Sequence, residues 1–208
     1  MQPALPEPIR ARYEELQHAI RARLAEFAAV SAGEYFYELC YCLLTPQSSA
    51  RNVEKTIALL KEKDFFNTPF DAAPILRRKE HYVRFHLTKA KRLLKAREQF
   101  SKIEEELRFD TTPEKKREWL VANVDGMSLK EASHFLRNIG CRELAILDRH
   151  IITHLVHCGI LRKRPKTLTP KRYVRIEKKF RQFSVKIGIP MDELDLLFWS
   201  NETGIILK

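Results

Sequence analysis

Residues 119–152 constrain the fold most, because their pattern specifies helices joined by very short connections. A helix-like segment is followed by a turn at 124–127, where Gly126 can take a positive φ at little cost. Ser128 then has the character of a helix N-cap, and Glu131 completes a capping-box pattern. The segment therefore predicts two helices joined by a tight hairpin, with a further helix beginning shortly after it.

Apolar residues recur at helical spacing through the rest of the chain as well. Three of the four Thr-Pro pairs in the chain, at residues 45–46, 112–113 and 169–170, combine a cap with proline at the first helical position and predict helix starts. The main expected helices are 8–30, 34–44, 46–63, 89–107, 149–158 and 170–186. No alternating strand pattern is present, so the predicted fold class is all-α.

The charge of the chain is strongly positive, with a net charge of +11 over 208 residues. Segment 77–97 holds nine Lys and Arg residues and segment 161–181 holds ten, which together are half of the 38 in the chain. Either segment alone is compatible with a solvated helix face. Two such segments favour a polyanionic partner, nucleic acid before membrane.

The four cysteines form no CxxC pair and no iron–sulfur pattern; they are Cys40, Cys42, Cys141 and Cys158. Cysteines 40 and 42 lie in an apolar helical stretch and are interpreted as reduced core residues, which suits a cytoplasmic protein. No apolar run reaches the length needed to cross a membrane. The chain is therefore expected in the cytoplasm, with no membrane partner.

The hairpin offers backbone N–H groups that bind phosphate without reading sequence, which makes Gly126, Met127 and Ser128 candidate DNA contacts. An ordinary αα-hairpin is the alternative. Lys130 lies in the first turn of the second helix, where the helix dipole disfavours a cation. A neutral lysine can attack a sugar C1′ and form a Schiff base, and burial at this helix end favours the neutral form.

Asp148 precedes the next apolar helix and could assist proton transfer or stabilise positive charge on a ribose ring. Each candidate also has a plain structural interpretation. Lys130 would then be a surface lysine that touches a phosphate, and Asp148 the N-cap of the helix that follows it.

The combination of segments resembles a known family. GMSLKEASHFLRNIG followed by LAILDRHI is similar to the helix–hairpin–helix DNA glycosylases, and the spacing of Lys130 and Asp148 is similar to that of the bifunctional members. LLTPQSSARNV, VRFHLTKAKRL and the terminal ILK extend the resemblance to the compact type-2 8-oxoguanine DNA glycosylases of prokaryotes. Ser128 departs from the family's second hairpin glycine, and the missing C-terminal four-cysteine cluster counts against the iron–sulfur branch.

This resemblance implies two helical domains flanking a DNA-binding cleft: residues 33–140 as a helical barrel with the helix–hairpin–helix, and residues 1–32 with 141–208. It implies a DNA repair enzyme that flips 8-oxoguanine out of double-stranded DNA, excises it through a Schiff base at Lys130, and cleaves the strand by β-elimination. Asp148 would be the general catalyst. The alternatives are a non-catalytic helix–hairpin–helix DNA-binding module and a related glycosylase for another damaged base.

The resemblance further implies a nucleoid-associated monomer that needs no organic cofactor and no metal for catalysis. A structural monovalent cation, held by hairpin carbonyls near residues 123–127 when DNA is bound, is compatible with it.

Other roles carry over by matched position. Gln47 would fill the gap left by the extruded base and Arg51 would bind DNA, while Phe85 and Trp199 would sandwich the flipped base. Lys208 would recognise 8-oxoguanine, because its carboxylate can accept the proton that the lesion carries on N7. The plain alternatives are a polar helix start for Gln47, core packing for both aromatic residues, and a frayed end for Lys208.

Overall fold

A computed structural model describes residues 3–206, and the chain forms eleven α-helices within that range. They are α1 (Glu7–Ala28), α2 (Tyr35–Leu44), α3 (Ala50–Glu62), α4 (Ala73–Leu76), α5 (His86–Glu98), α6 (Phe100–Arg108), α7 (Pro113–Asn123), α8 (Leu129–Asn138), α9 (Arg149–His157), α10 (Pro170–Ile187) and α11 (Met191–Thr203). The described residues contain no β-strand, so the all-α prediction is confirmed. None of these helices is both long and apolar enough to span a membrane.

The helices fall into two compact units, one made of Met1–Ala29 with Leu136–Lys208 and the other of Val30–Phe135. We call the second of these the hairpin unit, because it contains the turn between α7 and α8. The first is called the terminal unit. The domain bounds expected from the resemblance, 33–140 against the remainder, stay a prediction.

The core of the hairpin unit is built around α2, whose residues from Phe36 to Leu44 are all buried. A helix that is apolar on every side needs partners all round. Phe36 stacks with Phe65 at 6.2 Å and meets Phe100 edge to face at 5.3 Å. Both cysteines of α2 are free thiols in this core. This packing holds the C-terminal end of α2, where the first candidate DNA-contacting segment begins.

The terminal unit is organised around α11, which is buried from Met191 to Phe198. The Tyr13 hydroxyl of α1 donates to Glu193 at 2.5 Å, and Phe198 stacks on His154 of α9 at 4.7 Å. Arg137, near the end of α8, forms a buried ion pair with Asp195 at 3.2 Å. A buried pair of this kind is costly to break singly, so it fixes α11 against the end of α8.

Two sequence-based helix predictions need correction. The helix expected to start at Pro46 begins instead at Ala50, and residues 45–49 form a turn. The helix expected over 89–107 is two helices, because the chain bends at Gln99 between α5 and α6. The caps expected before Pro113 and Pro170 are confirmed: the hydroxyl oxygens of Thr112 and Thr169 each accept a backbone N–H at 3.3 Å.

Candidate functional site

The hairpin between α7 and α8 is a tight turn in which Gly126 has φ +90°. A Cβ atom at this position would lie 2.7 Å from Cδ of Arg92, closer than real Cβ contacts allow. Arg92 of α5 also pairs with Asp125 of the turn, with Nε 3.5 Å from Oδ1. Residue 126 is therefore glycine for two reasons, a left-handed backbone and the close approach of α5.

Three backbone amides at the start of α8 have no acceptor among residues 3–206: those of Gly126, Leu129 and Lys130. The amide of Met127 donates to the carbonyl of Val124 at 3.1 Å, and that of Ser128 donates to Glu131 at 3.3 Å. Met127 is buried, with 6% of the residue exposed. Unpaired N–H groups at a helix N-terminus are suited to an anion such as phosphate.

Lys130 is half-buried behind the hairpin, with 28% of its side chain exposed. Its amine lies 2.9 Å from Oε1 of Glu131, while the Ser128 hydroxyl donates to the other carboxylate oxygen. Burial would raise the pKa of Glu131, but the Lys130 charge and the hydrogen bonds from Lys130 and Ser128 outweigh it and lower that pKa. Glu131 is therefore an ionised partner of the lysine and a weak base.

The sequence does not predict the lysine–carboxylate pair, because its pattern places Glu131 only in the capping box. Adjacent helical residues do not usually face each other, so the spacing of Lys130 and Glu131 does not predict a contact. The contact forms because Ser128 draws the carboxylate back over the helix start.

Gln47 and Phe85 lie in two surface turns of the hairpin unit, and both have left-handed backbones, with φ +56° and +60°. Gln47 is exposed, and its turn precedes α3, so it is not a helix-start residue. Phe85 is 51% exposed, which excludes the core-packing alternative for this ring. Arg51 is exposed in the first turn of α3. Non-glycine residues in this conformation are uncommon and cluster at functional sites.

Lys89 is a second lysine of the hairpin unit, and only 2% of it is exposed. Its amine donates to the carbonyls of Leu44 and Pro46 at 2.6 and 2.7 Å and to the Ser48 hydroxyl at 3.1 Å. Its environment lowers the pKa of Lys89 from its ordinary value to about 8. Burial is the main cause; the charges of Arg92 and Lys130 add to it and that of Glu131 opposes it. In the sequence this residue is only one cation of a basic segment.

Asp148 belongs to the terminal unit and is the N-cap of α9. Its Oδ1 accepts the backbone N–H groups of His150 and Ile151, both at 2.8 Å. Asp148 therefore does cap the helix, which was the plain structural interpretation of this residue. The cap uses Oδ1 only, and no hydrogen bond from residues 3–206 reaches Oδ2. One carboxylate can therefore cap a helix and still offer an oxygen to a ligand.

Trp199 of α11 lies beside the start of α9, with its ring 6.5 Å from that of His150 at an angle of 71°. It is half-buried, so part of the indole remains accessible. The neighbouring Asp195 is a buried carboxyl whose pKa is raised to about 7, mainly by burial and further by Asp148, against the opposing charge of Arg137. Asp195 was also missed, since an acid in an apolar helix has no sequence signature of its own.

Lys208 lies outside the described residues. After the left-handed Gly204 at the end of α11, Ile205 is 37% exposed and Ile206 is half-buried. The apolar residues that precede the end of the chain are therefore only partly buried at Ile205 and Ile206.

Comparisons with known proteins converge on one group. Residues 20–189 match the sequence profile of a family described as 8-oxoguanine DNA glycosylase. The chain is 43% identical to the 8-oxoguanine DNA glycosylase/AP lyase of Fusobacterium nucleatum, with 94% of each protein covered. It is 36% identical to the enzyme of that name from Korarchaeum cryptofilum, over 96% of this chain and 95% of that one.

A solved structure is similar as well. The Methanocaldococcus jannaschii 8-oxoguanine glycosylase/lyase, in complex with a 15mer DNA containing 8-oxoguanine, superposes with a TM-score of 0.85 at 32% identity. The match covers 98% of this chain and 100% of that one.

Proposed function

The chain belongs to the 8-oxoguanine DNA glycosylase family, and we propose that this enzyme uses Lys130 to excise 8-oxoguanine from double-stranded DNA and then to cleave the strand. The observation that carries the proposal is the half-buried amine of Lys130 next to the unpaired backbone amides of Gly126 and Leu129. A phosphate bound by those amides brings the adjacent sugar towards the amine.

The first step is attack of the neutral Lys130 amine on C1′ of the damaged nucleotide. The C1′–N9 bond breaks, its electron pair leaves with the base, and the base takes up a proton. The C1′–O4′ bond then breaks, O4′ takes up the proton that the amine loses, and an iminium ion forms between C1′ and Nζ. Loss of a proton from C2′ breaks the bond from C3′ to its phosphate oxygen, which is the β-elimination.

The amine must first leave its ion pair with Glu131 and lose a proton. The Lys130 charge and the hydrogen bonds from Lys130 and Ser128 lower the pKa of Glu131, so this carboxylate is a poorer proton acceptor than an ordinary glutamate. We assign proton transfer to Asp148, whose Oδ2 is not used by the helix cap. The same carboxylate stabilises positive charge on the ribose ring as the base departs.

DNA binding rests on phosphate contacts at the hairpin and on the two basic segments. On helix α10 the exposed side of the second segment includes Lys171, Arg175, Lys178 and Lys179. These charges would anchor DNA independently of sequence. We assign the wedge role to Gln47, with Arg51 as a neighbouring phosphate contact.

Base recognition is assigned to Phe85, Trp199 and Lys208. The two accessible rings can stack on a flipped base. Recognition by Lys208 would distinguish 8-oxoguanine, which carries a proton on N7, from guanine, which has a lone pair there. Deleting Lys208 should reduce the 8-oxoguanine-to-guanine rate ratio more than the affinity for DNA, and an unchanged ratio would refute this role.

Borohydride trapping on an 8-oxoguanine duplex tests the proposal, since reduction of the Schiff base leaves a permanent covalent complex. The wild type should be trapped and Lys130→Gln should not, whereas Lys102→Gln removes an exposed lysine of α6 and should trap normally. A non-catalytic DNA-binding module would bind the duplex without being trapped. Stronger trapping on a different lesion would point to a glycosylase for another base.

A further inference from the structure

Lys89 has the hydrogen-bonding geometry of a buried ammonium group. A protonated lysine has three N–H donors, and its amine meets three acceptors at 2.6, 2.7 and 3.1 Å. Hydrogen bonds from a charged donor are stronger than neutral ones. With 2% of the residue exposed and its donors occupied, this amine is not placed to attack a substrate. Its function has to be sought in the backbone that it holds.

The three acceptors belong to one short segment. The carbonyl of Leu44 closes α2, and Pro46 and Ser48 stand on either side of Gln47. Gln47 is exposed with φ +56°, a conformation that a side-chain-bearing residue keeps only when the surrounding structure imposes it. The turn is closed by a hydrogen bond from the Ser48 backbone N–H to the Thr45 carbonyl at 2.9 Å, with Pro46 before Gln47. Lys89 adds a second restraint, because it binds the backbone just before Gln47 and the side chain just after it.

The same lysine is joined to the second turn. Its backbone N–H donates to the carbonyl of Phe85 at 3.0 Å, and Ser48 accepts the backbone N–H of Arg84 at 3.0 Å. Phe85 also combines an exposed side chain with a left-handed backbone, as Asp64 does elsewhere in the hairpin unit, and of these two only Phe85 is linked to Lys89. The bond to Phe85 is the first backbone bond of α5 and does not depend on the lysine side chain. The Lys89 amine therefore holds the Gln47 turn directly and the Phe85 turn through Ser48.

We propose that Lys89 is a positioning residue that clamps the turns of Gln47 and Phe85, so that the wedge and the stacking ring are presented to DNA together. The proposal rests on the DNA-repair function proposed above. It predicts that Lys89 contributes to extrusion of the damaged base, because flipping requires both side chains. It should contribute less to the chemistry at Lys130, with which it shares charge repulsion but no hydrogen bond.

Lys89→Met tests the clamp, because methionine keeps much of the side-chain length and removes all three hydrogen bonds. Excision from an 8-oxoguanine duplex under single-turnover conditions should fall by about tenfold or more, as expected when several charge-assisted hydrogen bonds are removed. Cleavage and borohydride trapping at a preformed abasic site, which has no base to extrude, should change by less than about threefold. The fluorescence of 2-aminopurine beside the lesion should report less base extrusion.

A double-mutant cycle with Gln47→Ala separates this role from general stabilisation. If Lys89 acts through Gln47, Gln47→Ala should strongly reduce the excision rate of the wild type but should reduce that of Lys89→Met only slightly. Ser48→Ala, which removes one acceptor and the link to Arg84, gives a milder version if Lys89→Met does not fold. Lys102→Met, which removes an exposed charge on α6, is the matched control and should retain excision.

Equal reductions on the lesion duplex and on the abasic site would overturn the positioning role, and so would additive effects in the cycle. Full excision by a folded Lys89→Met variant would also overturn it. Failure of the proposed function is recognised separately, because the wild type itself would then trap neither substrate.

Discussion

Replacing Gly126 by alanine is the sharpest perturbation of the hairpin. A Cβ at φ +90° costs about 1–2 kcal/mol in the left-handed region. The new methyl would also lie 2.7 Å from Cδ and 2.8 Å from Nε of Arg92, so this side chain must move. Its pair with Asp125 is partly exposed and is worth at most about 1 kcal/mol. We therefore expect the free energy of unfolding to fall by about 2–3 kcal/mol.

Gly188→Ala is the matched control. Gly188 ends α10 with φ +72°, and nothing lies within 4 Å of an added Cβ, so this variant isolates the backbone cost. Urea unfolding, monitored by circular dichroism, should show that Gly188→Ala lowers the free energy of unfolding by about 1 kcal/mol, which is less than the loss in Gly126→Ala. On undamaged duplex, Gly126→Ala should bind about tenfold more weakly, because the amides of the turn shift, while Gly188→Ala should bind normally. Equal destabilisation of the two variants, or normal DNA binding by Gly126→Ala, would refute this explanation of the turn.

Variants of Asp148, Lys89 and the Lys178–Lys179 pair test three other parts of the structure. Asp148→Asn keeps a cap acceptor, so the free energy of unfolding should change by less than about 0.5 kcal/mol. The rate of excision should fall by at least about a hundredfold. A large loss of stability together with the loss of excision would mean that Asp148 acts only as a helix cap. Since the pKa of Lys89 is lowered to about 8, the folded chain binds fewer protons there than the unfolded chain above that pH. Unfolding free energy should therefore rise relative to Lys89→Met between pH 8 and 10.5, and a flat difference would contradict the lowered pKa. Replacing Lys178 and Lys179 by glutamine should reduce the slope of log affinity against log salt by about one for each phosphate that is no longer neutralised, with Lys102→Gln as the control.

The hairpin could be predicted from sequence because its signals are local. Thr112 caps α7, Gly126 permits the turn, and the Ser128–Glu131 pair opens α8, all within a few residues of the feature they specify. Asp148 as a cap was predicted on the same basis. Local signals of this kind need no knowledge of the tertiary structure.

The turn at residues 45–49 could not be predicted in this way. Thr45-Pro46 has the pattern of a helix start, but the Leu44 and Pro46 carbonyls are taken by Lys89, far along the chain. In sequence Lys89 is one cation within a basic segment, and nothing there distinguishes it from its exposed neighbours. The bend at Gln99 contains no glycine or proline, so the sequence does not predict the break between α5 and α6 either. These features depend on long-range contacts that override local preference.

The most direct test of the proposed chemistry is the location of the covalent bond in the borohydride-trapped complex. Peptide mass spectrometry of wild-type protein trapped on an 8-oxoguanine duplex should find the reduced sugar adduct on Nζ of Lys130. The buried Lys89 serves as an internal control, since it lies in the same unit with its three donors occupied. An adduct on Lys130 alone is the predicted result, and an adduct on Lys89 or on any other residue would contradict the assignment of the nucleophile.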